Sequence, residues 1–243
     1  METRLEREHY LRAADVDIKG EWMPSAVFLR MQELAEDNAS NVGFGRIFLG
    51  ETLGLCWVLT RVNLKMHRYP RLGDTIHVAT WPLKPTKLTF LRHFMIRDAQ
   101  GETLGVASSH WMLFDIHERV LRRTSTIGDY PYDPDAPVVL EEPGKIKLPP
   151  DMPLCETRNV RYSDVDMNGH MNNTKYLNWI CELFSSEHIK TKRISQIRLN
   201  YIAEPYLDQQ VALYKSQGDG GFYICGKTED KTIFDSFVTW EPI

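Results

Sequence analysis

Residues 161–183 read RYSDVDMNGHMNNTKYLNWICEL, and residues 12–34 read RAADVDIKGEWMPSAVFLRMQEL. At an offset of 149, Arg12, Asp15, Val16, Asp17, Gly20, Glu33 and Leu34 recur as Arg161, Asp164, Val165, Asp166, Gly169, Glu182 and Leu183. Seven identities in 23 positions exceed the roughly one or two that average composition supplies. Two further blocks follow in order. VNLKMHRYPRLGDTI (62–76) aligns with IRLNYIAEPYLDQQV (197–211) at an offset of 135, and TLGVASSHW (103–111) with TIFDSFVTW (232–240) at 129. Colinear blocks with shrinking offsets indicate one ancestral unit, duplicated and then shortened by deletions in its second copy.

Each copy has the same grammar. A turn bearing Asp and Gly leads into a helix, and strands follow. In copy one, Pro24 suits a first helical turn, and Val27, Met31, Leu34 and Ala35 fall at helical spacing over a helix 24–41. In copy two, Asn172, Asn173 or Thr174 can cap a helix whose apolar stripe is Leu177, Ile180, Cys181 and Phe184. Strands are expected over 55–66, 75–81, 88–97 and 103–114, and again over 195–202, 210–216, 221–228 and 232–240. A helix with an apolar stripe needs a sheet to cover it, so the expected class is α+β. Residues 124–154 hold seven of the thirteen prolines and read as an extended connector. The expected organisation is therefore 1–123, a 124–154 linker, and 155–243.

Composition removes several classes. At 243 residues, 42% hydrophobic and 26% charged, the chain is too apolar for disorder. No run approaches the roughly 18 apolar residues of a membrane helix, and the charged start, Met1 to Arg12, shows no secretory signal. A net charge of −4 argues against non-specific nucleic-acid binding. Cys56, Cys155, Cys181 and Cys225 are scattered, without metal-ligand spacing, and read as reduced thiols of a cytosolic protein. Walker, dinucleotide, zinc-protease and nucleophile-elbow motifs are all missing.

The two copies control for each other. Copy one has Asp17-Ile18-Lys19-Gly20-Glu21; copy two has Asp166-Met167-Asn168-Gly169-His170. Folding explains the shared Asp and Gly but not the change to Asn168 and His170. A carboxylate, an amide and an imidazole just before a helix start can converge on a developing oxyanion. Glu204 stands where copy one has Tyr69, and a second carboxylate near Asp166 can help polarise a water.

The run SDVDMNGHMNNTKYLNW, a helix, and a following strand with Glu204 resemble the acyl-acyl carrier protein (acyl-ACP) thioesterases of plants and bacteria. LGETLGLCWVLTRVNLKMHRYPRLGDTIHVATWP and HWMLFDIHERVLRR in copy one resemble them too. The resemblance implies a tandem hotdog fold, two long helices each wrapped by an antiparallel sheet. It implies hydrolysis of a fatty acyl thioester on the carrier's phosphopantetheine arm, with Asp166, Asn168, His170 and Glu204 as the catalytic set. Where plant members have Cys after the acidic residue, this chain has Pro205, which disfavours a cysteine nucleophile. On this reading Glu204 and Asp166 polarise a water, or Asp166 attacks, while Asn168 and His170 hold the oxyanion. An acyl tunnel is expected in the first hotdog, with Val27, Met31, Trp57 and Phe90 as lining. Lys190, Lys192 and Arg193, or Arg119, Arg122 and Arg123, are expected to meet an acidic carrier protein. No metal or organic cofactor is called for, and a cytoplasmic monomer or homodimer is expected. An acyl-CoA thioesterase, a hotdog dehydratase and a non-catalytic acyl-binding module are the alternatives.

Overall fold

The computed structural model describes residues 3–243. The chain forms two compact units, Met1–Pro143 and Gly144–Ile243.

In the first unit, β1 (Leu5–Tyr10) precedes α1 (Pro24–Asn41), a short turn α2 (Arg46–Phe48) and a π-helical turn, Leu49–Leu53. β2 (Leu55–Met66), β3 (Thr75–Pro82), β4 (Phe90–Asp98), β5 (Thr103–Asp115) and β6 (Val120–Arg122) follow. The sheet order is β1-β3-β4-β5-β2, antiparallel throughout, with β6 beside β5. Pro24 opens α1 because the first helical turn needs no amide donor. Val27, Phe28, Met31, Leu34 and Ala35 bury the helix's apolar stripe, and α1 packs on β3. Residues 124–143 lie on this unit. Prolines there cannot extend a ladder, but their carbonyls still accept. Trp81 Nε1 donates to Pro137 O at 3.0 Å, and Ser108 Oγ donates to Glu141 O at 2.7 Å.

In the second unit, β7 (Leu154–Asn159) precedes α3 (Lys175–Glu182), α4 (Ser186–Thr191), β8 (Lys192–Tyr201), β9 (Gln210–Gly218), β10 (Gly221–Lys227) and β11 (Thr232–Pro242). The antiparallel order is β8-β11-β10-β9-β7. Each unit is thus a helix against an antiparallel sheet, the α+β hotdog arrangement. One expectation needs correction: the second helix is not long. α3 has 8 residues, and the chain restarts as α4 with Ser185 at its cap, whose Oγ accepts from the His188 N–H at 3.2 Å. Phe184, expected on the helix stripe, lies in the break. There it packs against Phe222 and Trp240, at centroid distances of 5.0 and 4.8 Å.

The repeat is written in the hydrogen bonds at all three offsets. Trp22 N donates to Pro70 O, and Met171 N to Pro205 O, both at 2.9 Å. Leu11 N donates to Asp74 O, and Val160 N to Gln209 O, again at 2.9 Å. The amides of His67 and Arg68 share Leu104 O, just as those of Ile202 and Ala203 share Ile233 O. Gly73 has φ +89°, and its counterpart Asp208 holds the left-handed region at φ +65°. No helix among the described residues is long and apolar enough to cross a membrane.

Candidate active site

The site is built on the turn before α3. Asp166 N donates to His170 O at 2.9 Å, Gly169 N to Asp166 O at 3.0 Å, and Asp166 Oδ1 accepts the Asn168 N–H at 2.8 Å. Gly169 has φ +78°, a conformation that any Cβ would strain. Copy one makes the same turn: Asp17 N to Glu21 O at 2.9 Å, Gly20 N to Asp17 O at 2.9 Å, and Asp17 Oδ1 from Lys19 N at 2.8 Å. One oxygen of each aspartate therefore holds the turn. Downstream, Thr174 takes the N-cap position of α3 without a side-chain cap bond, and Asn172 braces the turn just before it, its Oδ1 accepting from Thr174 N at 2.9 Å and Thr174 Oγ1 at 2.7 Å.

The two turns differ in where their side chains go. In copy one, Lys19 Nζ closes on Asp17 Oδ2 at 2.7 Å, and Glu21 is buried at 2% exposure. In copy two, Asn168 is exposed, and its side-chain amide makes no hydrogen bond with a described residue. His170 turns to Glu204, with Nδ1 2.7 Å from Oε2. The Nε2 end of His170 has no partner among the described residues. A carboxylate on Nδ1 fixes ring orientation and tautomer and leaves Nε2 for chemistry.

Glu204 was expected on a strand. It lies past the end of β8, in the loop 202–209. Two amides on one carbonyl, Ile202 and Ala203 on Ile233 O, end the ladder there, and Pro205 supplies no amide to continue it. Beneath the loop, Tyr176 is buried and its hydroxyl donates to Ala203 O at 3.5 Å. Burial first, then the Glu204 charge, push the Tyr176 hydroxyl well above its ordinary range, so it stays protonated. The Tyr201 hydroxyl is likewise raised by burial first and donates to Asn173 O at 3.0 Å.

Of the expected acyl-lining residues, Trp57 and Phe90 meet edge to face at 4.8 Å. They share a cluster with Phe44, Leu49 and Tyr130, and Trp57 Nε1 donates to Phe44 O at 2.9 Å. Val27 and Met31 lie on the buried face of α1. Of the expected docking residues, Lys190 is exposed, Lys192 is half-buried, and Arg193 Nε is held by Glu241 at 2.8 Å. In the alternative trio, Arg122 pairs with Asp115 and Glu118.

Sequence reading missed Tyr206, whose ring lies 4.6 Å from that of His170. Comparing the copies at the 135 offset could have found it, because its mate Arg71 faces Glu21. It also missed Arg92. This guanidinium is 5% exposed and bonded to the neutral oxygens of Asn38, Thr80 and Tyr130 at 2.8, 3.2 and 3.1 Å. No sequence signal marks a lone strand arginine as buried.

Comparison with known proteins agrees with this architecture. Residues 2–128 match the acyl-ACP thioesterase N-terminal domain, and residues 151–237 the acyl-ACP thioesterase C-terminal domain. A palmitoyl-acyl carrier protein thioesterase of Cuphea hookeriana is 32% identical over 219 residues, covering 78% of this chain and 52% of the relative. The chain spans about half the length of the curated relatives it matches. The crystal structure of an acyl-ACP thioesterase from Bacteroides thetaiotaomicron has a TM-score of 0.90 at 26% identity, covering 98% of both chains. A 12:0-ACP thioesterase from Umbellularia californica shares the fold with a TM-score of 0.86 at 24% identity, covering 100% of this chain and 99% of that one. With both halves matched in order, the chain belongs to the acyl-ACP thioesterase family.

Proposed function

We propose that this protein hydrolyses the thioester of a fatty acyl group on acyl carrier protein, releasing the free acid and the holo-carrier and so ending acyl elongation. The observation that carries this reading is the 2.7 Å contact between His170 Nδ1 and Glu204 Oε2 beside the exposed Asn168. Glu204 holds the imidazole, and Nε2 takes a proton from the attacking water. The water oxygen bonds to the carbonyl carbon, and the Asn168 amide donates to the oxyanion. Collapse breaks the C–S bond, and the imidazolium returns its proton to the leaving sulfur. Asp166 keeps Oδ1 on the turn and offers Oδ2 to the water. This moves Glu204 from the water to the imidazole, and His170 from the oxyanion to the proton, relative to the sequence-based expectation. The reason is that Nδ1 is already occupied.

In this reading the first unit carries the acyl chain, with Trp57, Phe90, Val27 and Met31 along it, and the second carries the chemistry. Lys190, Lys192 and Arg193 face the acidic carrier, and the enzyme works in the cytoplasm as a monomer or homodimer. The deciding experiment is thiol release from dodecanoyl- and hexadecanoyl-ACP by the wild-type chain, His170→Ala and Glu204→Gln. The reading requires turnover by the wild type and a fall of roughly 10²-fold or more in both variants. An inactive wild type, or a fully active Glu204→Gln, overturns it. Single turnover in ¹⁸O-water checks the route: label recovered in Asp166 would replace direct water attack with an acyl-aspartate anhydride.

A further inference from the structure

His170 is touched from two directions by one loop. Glu204 meets its Nδ1, and two residues later Tyr206 packs its ring against the imidazole at a centroid distance of 4.6 Å and an interplanar angle of 79°. His170 and Tyr206 also face each other as an isolated antiparallel bridge. The Tyr206 backbone is clamped on both sides by one residue. Its N–H donates to Gln209 Oε1 at 3.1 Å, and Gln209 N donates to Tyr206 O at 3.1 Å. Pro205, between the two contacts, is buried, and its carbonyl accepts the Met171 N–H at 2.9 Å. The ring is therefore carried on a fixed backbone, although about half of the residue is open to solvent.

Copy one separates the scaffold from the chemistry. Glu21 and Arg71 form the same isolated bridge. Arg71 is clamped in the same way, its N–H donating to Asp74 Oδ2 at 2.8 Å and its O accepting from Asp74 N at 3.0 Å. The clamp is thus a property of the repeat. What sits on it differs with the side chain opposite: a guanidinium faces the carboxylate of Glu21, and an aromatic ring faces the imidazole of His170. The Tyr206 hydroxyl makes no hydrogen bond with a described residue. Its ring, not its oxygen, makes the contact.

We infer that Tyr206 is a positioning residue, whose ring, together with the Glu204 carboxylate, locks the His170 imidazole in the one orientation that presents Nε2 to the substrate. An edge-to-face ring contact limits rotation about the last torsion of the histidine, which is otherwise soft. The hydrogen bond at Nδ1 sets the tautomer, and the ring keeps the imidazole in line with that carboxylate. The inference rests on the proposed hydrolase reading, and its test is arranged to be separable from it.

The test uses the full chain as wild type, Tyr206→Phe and Tyr206→Leu. The first readout is ¹⁵N NMR of labelled histidine, which reports the His170 tautomer without any substrate. The second is kcat and KM for dodecanoyl-ACP. The expected result is a single Nδ1–H tautomer in the wild type and Tyr206→Phe, and a mixture in Tyr206→Leu. Turnover in Tyr206→Leu falls about three- to tenfold with KM little changed, and Tyr206→Phe recovers to within about twofold of wild type. A purely structural role would leave the tautomer alone. Tyr206→Leu with a single tautomer and wild-type kcat overturns the inference, as does Tyr206→Phe behaving like Tyr206→Leu. Should the wild type release no thiol, the hydrolase reading fails, and the tautomer comparison still decides what Tyr206 does to His170.

Discussion

Lys19 Nζ lies 2.7 Å from Asp17 Oδ2, so the first copy of the turn closes the carboxylate oxygen that the second copy leaves open beside Asn168. The residue at this position therefore decides whether the second carboxylate oxygen is closed or left open on the same turn. Asn168→Lys should re-create the seal. We expect turnover to fall roughly 10²-fold or more, from loss of the oxyanion donor and neutralisation of Asp166, while the fold is kept. Thiol-release kinetics beside a thermal melt check this, because the melting temperature should move little.

Asp166 should show two separable roles. Asp166→Asn keeps an oxygen to accept the Asn168 N–H, seen at 2.8 Å, so the turn should survive while activity falls. Asp166→Ala removes the acceptor as well and should cost about 1 kcal/mol of stability in addition. Denaturant melts of the two variants against wild type distinguish these outcomes. Equal stability of the two would remove the structural role.

The fold should weaken in mild acid. Burial first, and the His110 charge second, push His93 down to about 4, and its Nδ1 accepts the Val139 N–H at 3.4 Å. An unfolded histidine titrates near 6.5, so the unfolded chain binds more protons than the folded one between about 6.5 and 4. The stability involved is whole above pH 6.5, is lost as pH falls through that window, and amounts to roughly 2–3 kcal/mol. Burial lowers His9, His110 and His188 too, which adds to the same trend. His93→Gln, which cannot titrate, should flatten the stability profile between pH 4 and 7, measured by urea unfolding.

The aromatic cluster makes a packing prediction that does not depend on substrate. Phe90 is 4% exposed and packs edge to face on both Trp57 and Tyr130. Phe90→Ala should cost about 3–5 kcal/mol. The milder Phe90→Leu should keep the fold, and if the acyl chain runs along this cluster it should change the ratio of kcat/KM between dodecanoyl- and hexadecanoyl-ACP. An unchanged ratio would place the chain elsewhere.

A fifth prediction concerns the carrier. Arg193 is committed to Glu241, whereas Lys190 is exposed. Lys190→Glu should raise KM for acyl-ACP by about two- to fivefold at low salt and leave hydrolysis of a short acyl-pantetheine thioester unchanged. Equal effects on both substrates would remove Lys190 from the docking surface.

What the sequence by itself determined was local or periodic. The duplication, the Asp-Gly turn, the α1 stripe and most strands depend on neighbours along the chain or on spacings of 2 and 3.6 residues, and these are visible in a string of letters. His170 and Glu204 were singled out because the two copies differ there. Their 2.7 Å contact was decided only by tertiary structure, through the Met171–Pro205 hydrogen bond that brings the two segments together. The break after α3 followed from aromatic packing of Phe184 against β10 and β11, which the helical stripe alone did not show. The burial of Arg92 among neutral oxygens and the ring of Tyr206 on the imidazole belong to the same class. Side-chain partners distant in sequence are set by strand register and loop path. Those are properties of the whole packed unit, so no local pattern encodes them.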